Sequence, residues 1–259
     1  MKPFRRRGLQ IGLAFLVLCY LQAQKNSLWA NPKKDISKLL RHIEDLYRME
    51  SSRGEIEIEI INPNFQRKLR VKVWAKGQDF TLVRVLSPAK EKGMTTLRRR
   101  REIWNFYPKI SRTMKIPPSM MMASWMGSDF TNDDLVRESS LVRDYHAKVT
   151  GASGKNLIEV TLTPKKNTVT VWGKIRLEID LVKRLPIKQV YYDELGRKIR
   201  TLAFRKLKNF SGRILPSELE MLPETENKRG RRTIIRYLSL QPDQLSEAFF
   251  SIRNLRKKP

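Results

Sequence analysis

From Glu55 the chain alternates without interruption, Glu55-Ile-Glu-Ile-Glu-Ile60. Successive side chains of a strand point to opposite faces, so this stretch can bury every isoleucine on one face and leave every carboxylate in water. A helix would scatter the same residues around its circumference. The pattern therefore commits this part of the chain to a sheet with one dry face. The same period returns at 67–76, 79–86, 93–98, 102–107 and 110–116. After a break it resumes at 143–150, 156–163, 172–184, 187–195, 198–209, 214–222 and 231–240. Beyond Lys174, the residues Ile175, Leu177, Ile179 and Leu181 share one face, opposite Lys174, Arg176, Glu178 and Asp180. Lys76-Gly-Gln-Asp79 and Asp193-Glu-Leu-Gly196 are turn signals.

About a dozen strands that follow one another pair most simply as an antiparallel meander. A twisted sheet that wide curls or closes, and its inner face is apolar. Two outcomes are open at this point: a filled core, or a cavity that takes one apolar ligand.

Helical patterns are few. Residues 35–49 place Ile36, Leu39, Leu40, Ile43, Leu46 and Tyr47 on one face, with Asp35 or Ser37 as the cap. Thr131-Asn-Asp-Asp134 has capping-box spacing and predicts a short helix over 133–137. Asp243 is expected to start a last short helix carrying Leu245, Phe249 and Ile252.

The apolar bulk outside the alternation lies in 103–130. Trp104, Phe106, Tyr107, Met120, Met121, Met122, Trp125 and Met126 stand out there. Methionine is flexible and suits irregular apolar surfaces. These eight residues are candidate lipid-binding residues at a lid or mouth; the alternative is core beneath a long loop.

The first thirty residues read as an export signal. Lys2, Arg5, Arg6 and Arg7 precede Ile11–Leu21, an uncharged run of eleven residues. As a helix it spans about 16 Å, short of the roughly 30 Å membrane core. Ala30 or Ala23 offers a cleavage site, and Leu18 before Cys19 argues against lipid anchoring at that cysteine. The expected organisation is a signal peptide at 1–30 and a single domain at 31–259, in the periplasm. One cysteine excludes an intrachain disulfide and a cysteine zinc site, and His42 and His146 lie far apart. Neither a metal nor a cofactor is expected.

The motifs are more specific than the composition. Ile103-Trp-Asn-Phe-Tyr-Pro-Lys109, Ser111-Arg112, Trp125-Met-Gly-Ser-Asp-Phe-Thr131 and Asp134-Leu135 occur in that order. Leu185-Pro-Ile-Lys188, Tyr192-Asp193, Gly196, Gly212, Pro216, Met221 and Phe250 follow. Over about 35–255 the chain resembles the outer-membrane lipoprotein-sorting protein family, the LolA/LolB-like periplasmic carriers. The family motif falls on Met126, Gly127, Ser128, Asp129 and Phe130. The resemblance implies a mainly β fold, an open antiparallel β-barrel whose mouth is plugged by helices. It further implies non-covalent binding of lipid or lipoprotein acyl chains, no enzymatic activity, and an inner-membrane transporter partner. A second reading is an interaction module of the same fold that senses lipid and acts on a membrane protein.

Gly127-Ser128-Asp129 does not read as a hydrolase site. No histidine is near, and no Gly-x-Ser-x-Gly elbow exists. Gly127 is expected to permit a tight turn, and Asp129 to hold backbone N–H groups of the following helix.

The chain departs from the family in charge. It carries 53 Lys and Arg against 26 Asp and Glu, and only five of the basic residues lie in 1–30. A folded part this basic is drawn to anionic surfaces. No zinc finger, RRM signature or basic helix is present, which sets nucleic acid aside. Three uses of that charge stay open, an anionic membrane surface, an acidic partner protein at the membrane and a merely solvated exterior, with Arg98, Arg99, Arg100 and Arg101 as the candidate headgroup site for the first. The cargo stays open between a lipoprotein, a phospholipid and another amphiphile.

Overall fold

A computed structural model describes residues 32–47, 49–136, 141–152, 156–168 and 170–257. The expected signal segment 1–30 and Cys19 lie outside them. Thirteen strands form one antiparallel sheet. The first six are β1 (Ser51–Asn62), β2 (Phe65–Lys76), β3 (Phe80–Ser87), β4 (Thr95–Arg99), β5 (Glu102–Tyr107) and β6 (Arg112–Lys115). The other seven are β7 (Tyr145–Ala152), β8 (Leu157–Pro164), β9 (Lys174–Asp180), β10 (Leu185–Tyr192), β11 (Lys198–Phe210), β12 (Arg213–Pro223) and β13 (Arg232–Pro242). The three α-helices among the described residues are α1 (Pro32–Glu44), α2 (Asn132–Val136) and α3 (Ile252–Leu255).

The strand order is β6-β5-β4-β3-β2-β1-β13-β12-β11-β10-β9-β8-β7. Two meanders meet at the β1–β13 pair, where Ile58 faces Ile235. The edge strands β6 and β7 are neighbours in sequence yet lie at opposite ends of the sheet. The chain between them must therefore pass from one edge to the other. The barrel stays open along that line, and the crossing segment packs on the inner face.

One face of the sheet carries Ile56, Ile58, Ile60, Leu69, Val71, Val83 and Val85 on one side of the β1–β13 seam. Ile158, Val160, Leu162, Ile175, Leu177 and Ile179 continue it on the other side. Helix α1 lies over the second group with Ile36, Leu39, Leu40 and Ile43, as the 3.6-residue period requires. Each such side chain contributes about 1.5–3 kcal/mol when fully buried.

On the opposite face the alternate positions form an ionic lattice. Arg236 Nη1 bonds Glu57 and Glu59, its Nε bonds Glu218, and Lys206 also reaches Glu218. Arg70 pairs with Glu55, and Arg205 with Glu220. Part of the basic excess is thus spent between strands.

Two expectations need correction. The first helix starts at Pro32, so Asp35 and Ser37 lie within it rather than at its cap, and it stops at Glu44. Tyr47 leaves the helix to stack on Tyr237, with ring centroids 4.8 Å apart, and its hydroxyl donates to the Pro216 carbonyl. The last helix does not begin at Asp243. A 3-10 turn at Glu247–Phe249 comes first, and Ser251 caps α3 by accepting from the Asn254 N–H. Gly54 lies inside β1, and it must be glycine there because a Cβ would stand 2.3 Å from the Ser239 carbonyl oxygen.

Candidate functional site

The crossing segment is held by its own polar groups. The Trp125 N–H donates to Phe130 O, and Ser124 bridges to Thr131, which closes a small loop around the Gly-Ser-Asp residues. Met126 and Gly127 take φ of +52° and +75°, a turn in which glycine is unstrained. The Ser128 hydroxyl donates to Trp125 O at 2.7 Å, and the side chain is buried. Asp129 departs from expectation: it does not serve the following helix. Its N–H donates to Thr233 Oγ1, Thr233 Oγ1 donates back to its carboxylate, and Arg231 lies 3.3 Å from its other oxygen. The motif is a latch between the plug and β13.

Helix α2 has the expected capping box. The Thr131 N–H donates to Asp134 Oδ2, and the Asp134 N–H donates to Thr131 Oγ1. Asp134 also accepts two hydrogen bonds from Arg200 of β11, at 2.7 and 2.5 Å. The Arg200 guanidinium is buried, 4.5 Å from the Trp172 ring centroid and 4.4 Å from that of Tyr191. Burial works against its charge, but the Asp134 carboxylate outweighs burial and its pKa is raised. Sequence reasoning missed Arg200. Its signal was present: Arg200, Leu202 and Phe204 share one face of β11, so a charged residue sits in an apolar row.

Beside this pair lies a cavity of about 250 Å3. Its walls are Ile43 and Glu44 from the end of α1, Tyr47 just beyond it, Phe130, Asp133 and Asp134 from the plug, and Leu141. Its floor is the inner face of β9–β12, with Tyr191, Leu202, Phe204, Leu219 and Met221. Most of this lining is apolar. Burial pushes the Tyr191 and Tyr237 hydroxyls up to about 12 and raises Tyr47 as well, so the three remain neutral.

The candidate entrance residues do not gather around this cavity. Trp125 is buried against β1–β3, its indole N–H donating to Thr96 Oγ1, and Met126 packs with it. Met121 packs on Ile103 and Ile116. Met120 and Met122 are exposed. Phe106, Tyr107, Met120 and Met126 border a second, smaller recess of about 110 Å3. Trp104 and Phe106 alternate with Ile103 and Tyr107 along β5 and pack against the cluster of Phe80, Leu82, Leu97, Phe250 and Leu255. Phe130 of the motif does reach the larger cavity. Arg98, Arg99, Arg100 and Arg101 come together at the β4–β5 hairpin and line a separate cleft. Among the described residues no cluster of His, Cys, Asp or Glu could hold a metal ion, and no helix is long and apolar enough to cross a membrane.

Residues 77–257 match a protein-family model whose description reads "-like: Uncharacterized protein". The chain belongs to that family. Among solved structures, a DUF1329 family protein from Desulfovibrio piger superposes with a TM-score of 0.75 at 23% identity, over 87% of this chain and 100% of its own. A LolA superfamily protein from Nitrosomonas europaea gives 0.69 at 20% identity, over 84% and 97%. An outer membrane lipoprotein-sorting protein domain, so described, from Vibrio parahaemolyticus gives 0.71 at 18% identity, over 85% and 98%. No curated protein matches the chain. The family member described here thus has the LolA-like fold: an open antiparallel barrel with few helices.

Proposed function

We propose that the chain is a periplasmic carrier that holds an acyl chain of a lipid or lipoprotein in the cavity beneath α1. The observation that carries this reading is the cavity itself. Its floor is the apolar inner face of β9–β12, and its roof is made of elements outside the sheet, α1 and α2. A roof of that kind can move while the strand ladder stays paired. The fold shared with lipoprotein-sorting relatives supports the same function, and the predicted signal segment supports the compartment. An inner-membrane transporter that loads the carrier and an anionic membrane surface that receives its cargo belong to this reading.

The volume sets a scale. At about 30 Å3 for a water-sized group, the cavity holds about eight such groups. Eight methylenes at about 0.8 kcal/mol each give roughly 6 kcal/mol of gross transfer energy. Association itself costs an estimated 4–15 kcal/mol. One inserted chain is therefore a weak ligand unless the roof lifts or polar contacts add to it.

The test is native mass spectrometry of protein purified without detergent, followed by uptake of a fluorescent fatty acid. Bound lipid and saturable uptake are expected, with uptake lost in Leu202→Trp, which fills the floor. Lipid-free protein that takes up no probe would overturn the reading.

A further inference from the structure

A cleft of about 760 Å3 is lined by Arg98, Arg99, Arg100, Arg101 and Arg143. Its construction follows from the sequence. Arg99 pairs with Glu102 across the β4–β5 hairpin, which leaves Arg100 and Arg101 at the tip, Arg100 with φ of +53°. Arg99, Arg100 and Arg101 are exposed there, while Arg98 is buried and donates through Nε to the Arg100 carbonyl. Arg143 comes from the segment that leads into β7.

The acids facing the cleft are Asp79, Glu102 and Glu247. Glu102 is engaged by Lys115 from β6, so its charge is already offset. Asp79 adds to the field that, with Asp144 foremost, raises the Arg143 pKa. Arg99, Arg100 and Arg101 make no ion pair with any described residue. The cleft keeps a cationic surplus of groups whose planar, forked donors match phosphate oxygens.

Cleft and cavity share a wall. Leu141 lines the cavity and Arg143 lines the cleft, two residues and at most about 7 Å further along the chain. The Leu141 N–H donates to the Glu44 carboxylate at the end of α1, which fixes this wall to the cavity roof. An apolar hollow and an arginine-lined hollow on either side of one short segment have the layout of an anionic amphiphile.

We propose that the arginine cleft takes the phosphate group of an amphiphile whose chain enters the cavity under α1. This rests on the carrier reading and narrows its cargo to phosphate-bearing lipids with a net negative head.

Calorimetric titration of the full folded chain, purified without detergent, separates the possibilities. The probes are a lysophosphatidate below its micelle concentration, a monoacylglycerol with the same chain, and inorganic phosphate. The variant carries Arg99→Gln, Arg100→Asn and Arg101→Gln, all at exposed positions, with asparagine chosen for the left-handed turn. Lysophosphatidate should bind the native chain more tightly than the monoacylglycerol. The variant should lose about 30-fold for lysophosphatidate, the sum of three modest charge contacts, and change less than about twofold for the monoacylglycerol. Equal affinities for the two lipids, or an unaffected variant, would overturn the headgroup site and leave the carrier reading in place. Inorganic phosphate binding as tightly as lysophosphatidate would also overturn it, because the cleft would then serve free phosphate without a chain. If neither lipid binds, the carrier reading falls and this inference falls with it.

Discussion

Arg200 grips Asp134 through two hydrogen bonds while its guanidinium lies against Trp172 and Tyr191, so one ion pair ties β11 to the plug helix α2 beside the cavity. The two partners are not equally buried: the Arg200 side chain is 6% exposed and that of Asp134 is 20% exposed. Removing Asp134 strands a cation inside the protein, whereas removing Arg200 leaves a carboxylate that water can reach and that still caps α2. Asp134→Ala should therefore cost about 3–5 kcal/mol. Arg200→Met should cost less, on the order of 1–2 kcal/mol, since an apolar chain of similar length fills the site. Urea unfolding of both variants decides it; a larger loss for Arg200→Met would refute the asymmetry.

Thr233 is fully buried, and its single hydroxyl both accepts from the Asp129 N–H and donates to the Asp129 carboxylate. Thr233→Val keeps the shape and removes both bonds, leaving buried polar groups unpaired at about 1–3 kcal/mol. Thr233→Ser keeps both bonds and should stay close to the native chain. Hydrogen exchange of the 125–131 amides should accelerate only in the valine variant. Equal behaviour of the two would mean that the methyl group, not the hydroxyl, holds the latch.

Two glycines should fail for different reasons. At Gly127 an added Cβ meets nothing closer than an Arg67 nitrogen at 3.6 Å, so Gly127→Ala costs only the strain of φ +75°, about 1 kcal/mol. At Gly54 the Cβ would meet backbone of β13 at 2.3 Å, and the two strands would have to part. Gly54→Ala should cost more, about 2–4 kcal/mol. Thermal unfolding of the pair in one buffer gives the order directly.

The difference between these glycines also shows what a single sequence makes legible. Period two needs only local information, and the strands it marks are all present, because each alternation has one dry partner face. No local rule accounts for Gly54, since its reason for being glycine is a strand nearly two hundred residues away. The capping box is local and forms as written, but Asp129 turns to Thr233, a partner no spacing rule reaches. The methionine-rich segment stands out by composition. Its place on the β1–β5 half of the sheet follows from the crossing between edge strands, a property of topology alone. The alternation does hold one unused clue: Trp104 and Phe106 share a face of β5 opposite Ile103 and Tyr107, so these aromatic residues could not all look into one mouth.

Acid should loosen the seam between the two meanders. Burial opposes ionisation of Glu59 and Glu218, yet the Arg236 guanidinium at Glu59, and the Lys206 ammonium with Arg236 at Glu218, outweigh it, and both carboxyls titrate below their ordinary 4.5. Their folded-state pKa values lie below the unfolded ones, so the stability they add is complete above pH 4.5. It is lost as pH falls through the lowered values. Unfolding free energy should thus decline below that pH. Arg236→Met should lower stability at neutral pH by about 2 kcal/mol and make the acid decline shallower. An unchanged slope in the variant would show that other groups carry the acid sensitivity.

The back of the sheet has its own small core, and it depends on the last residues of the chain. Phe250 is fully buried, with its ring 5.5 Å from that of Phe80, over Leu82 and Leu97 of β3 and β4. Arg84 fixes the same segment by donating to the Asn254 carbonyl at 2.5 Å. Without this cover, Trp104 and Phe106 would face water beside the arginine hairpin. Phe250→Ala leaves a cavity that the short helix α3 cannot close, at about 3–5 kcal/mol. Phe250→Leu keeps most of the volume and should cost roughly half of that or less. Because the inner face is not involved, both variants should take up a fluorescent fatty acid as the native chain does while folded. Uptake lost in Phe250→Leu, with stability retained, would mean that the C-terminal cover also shapes the cavity.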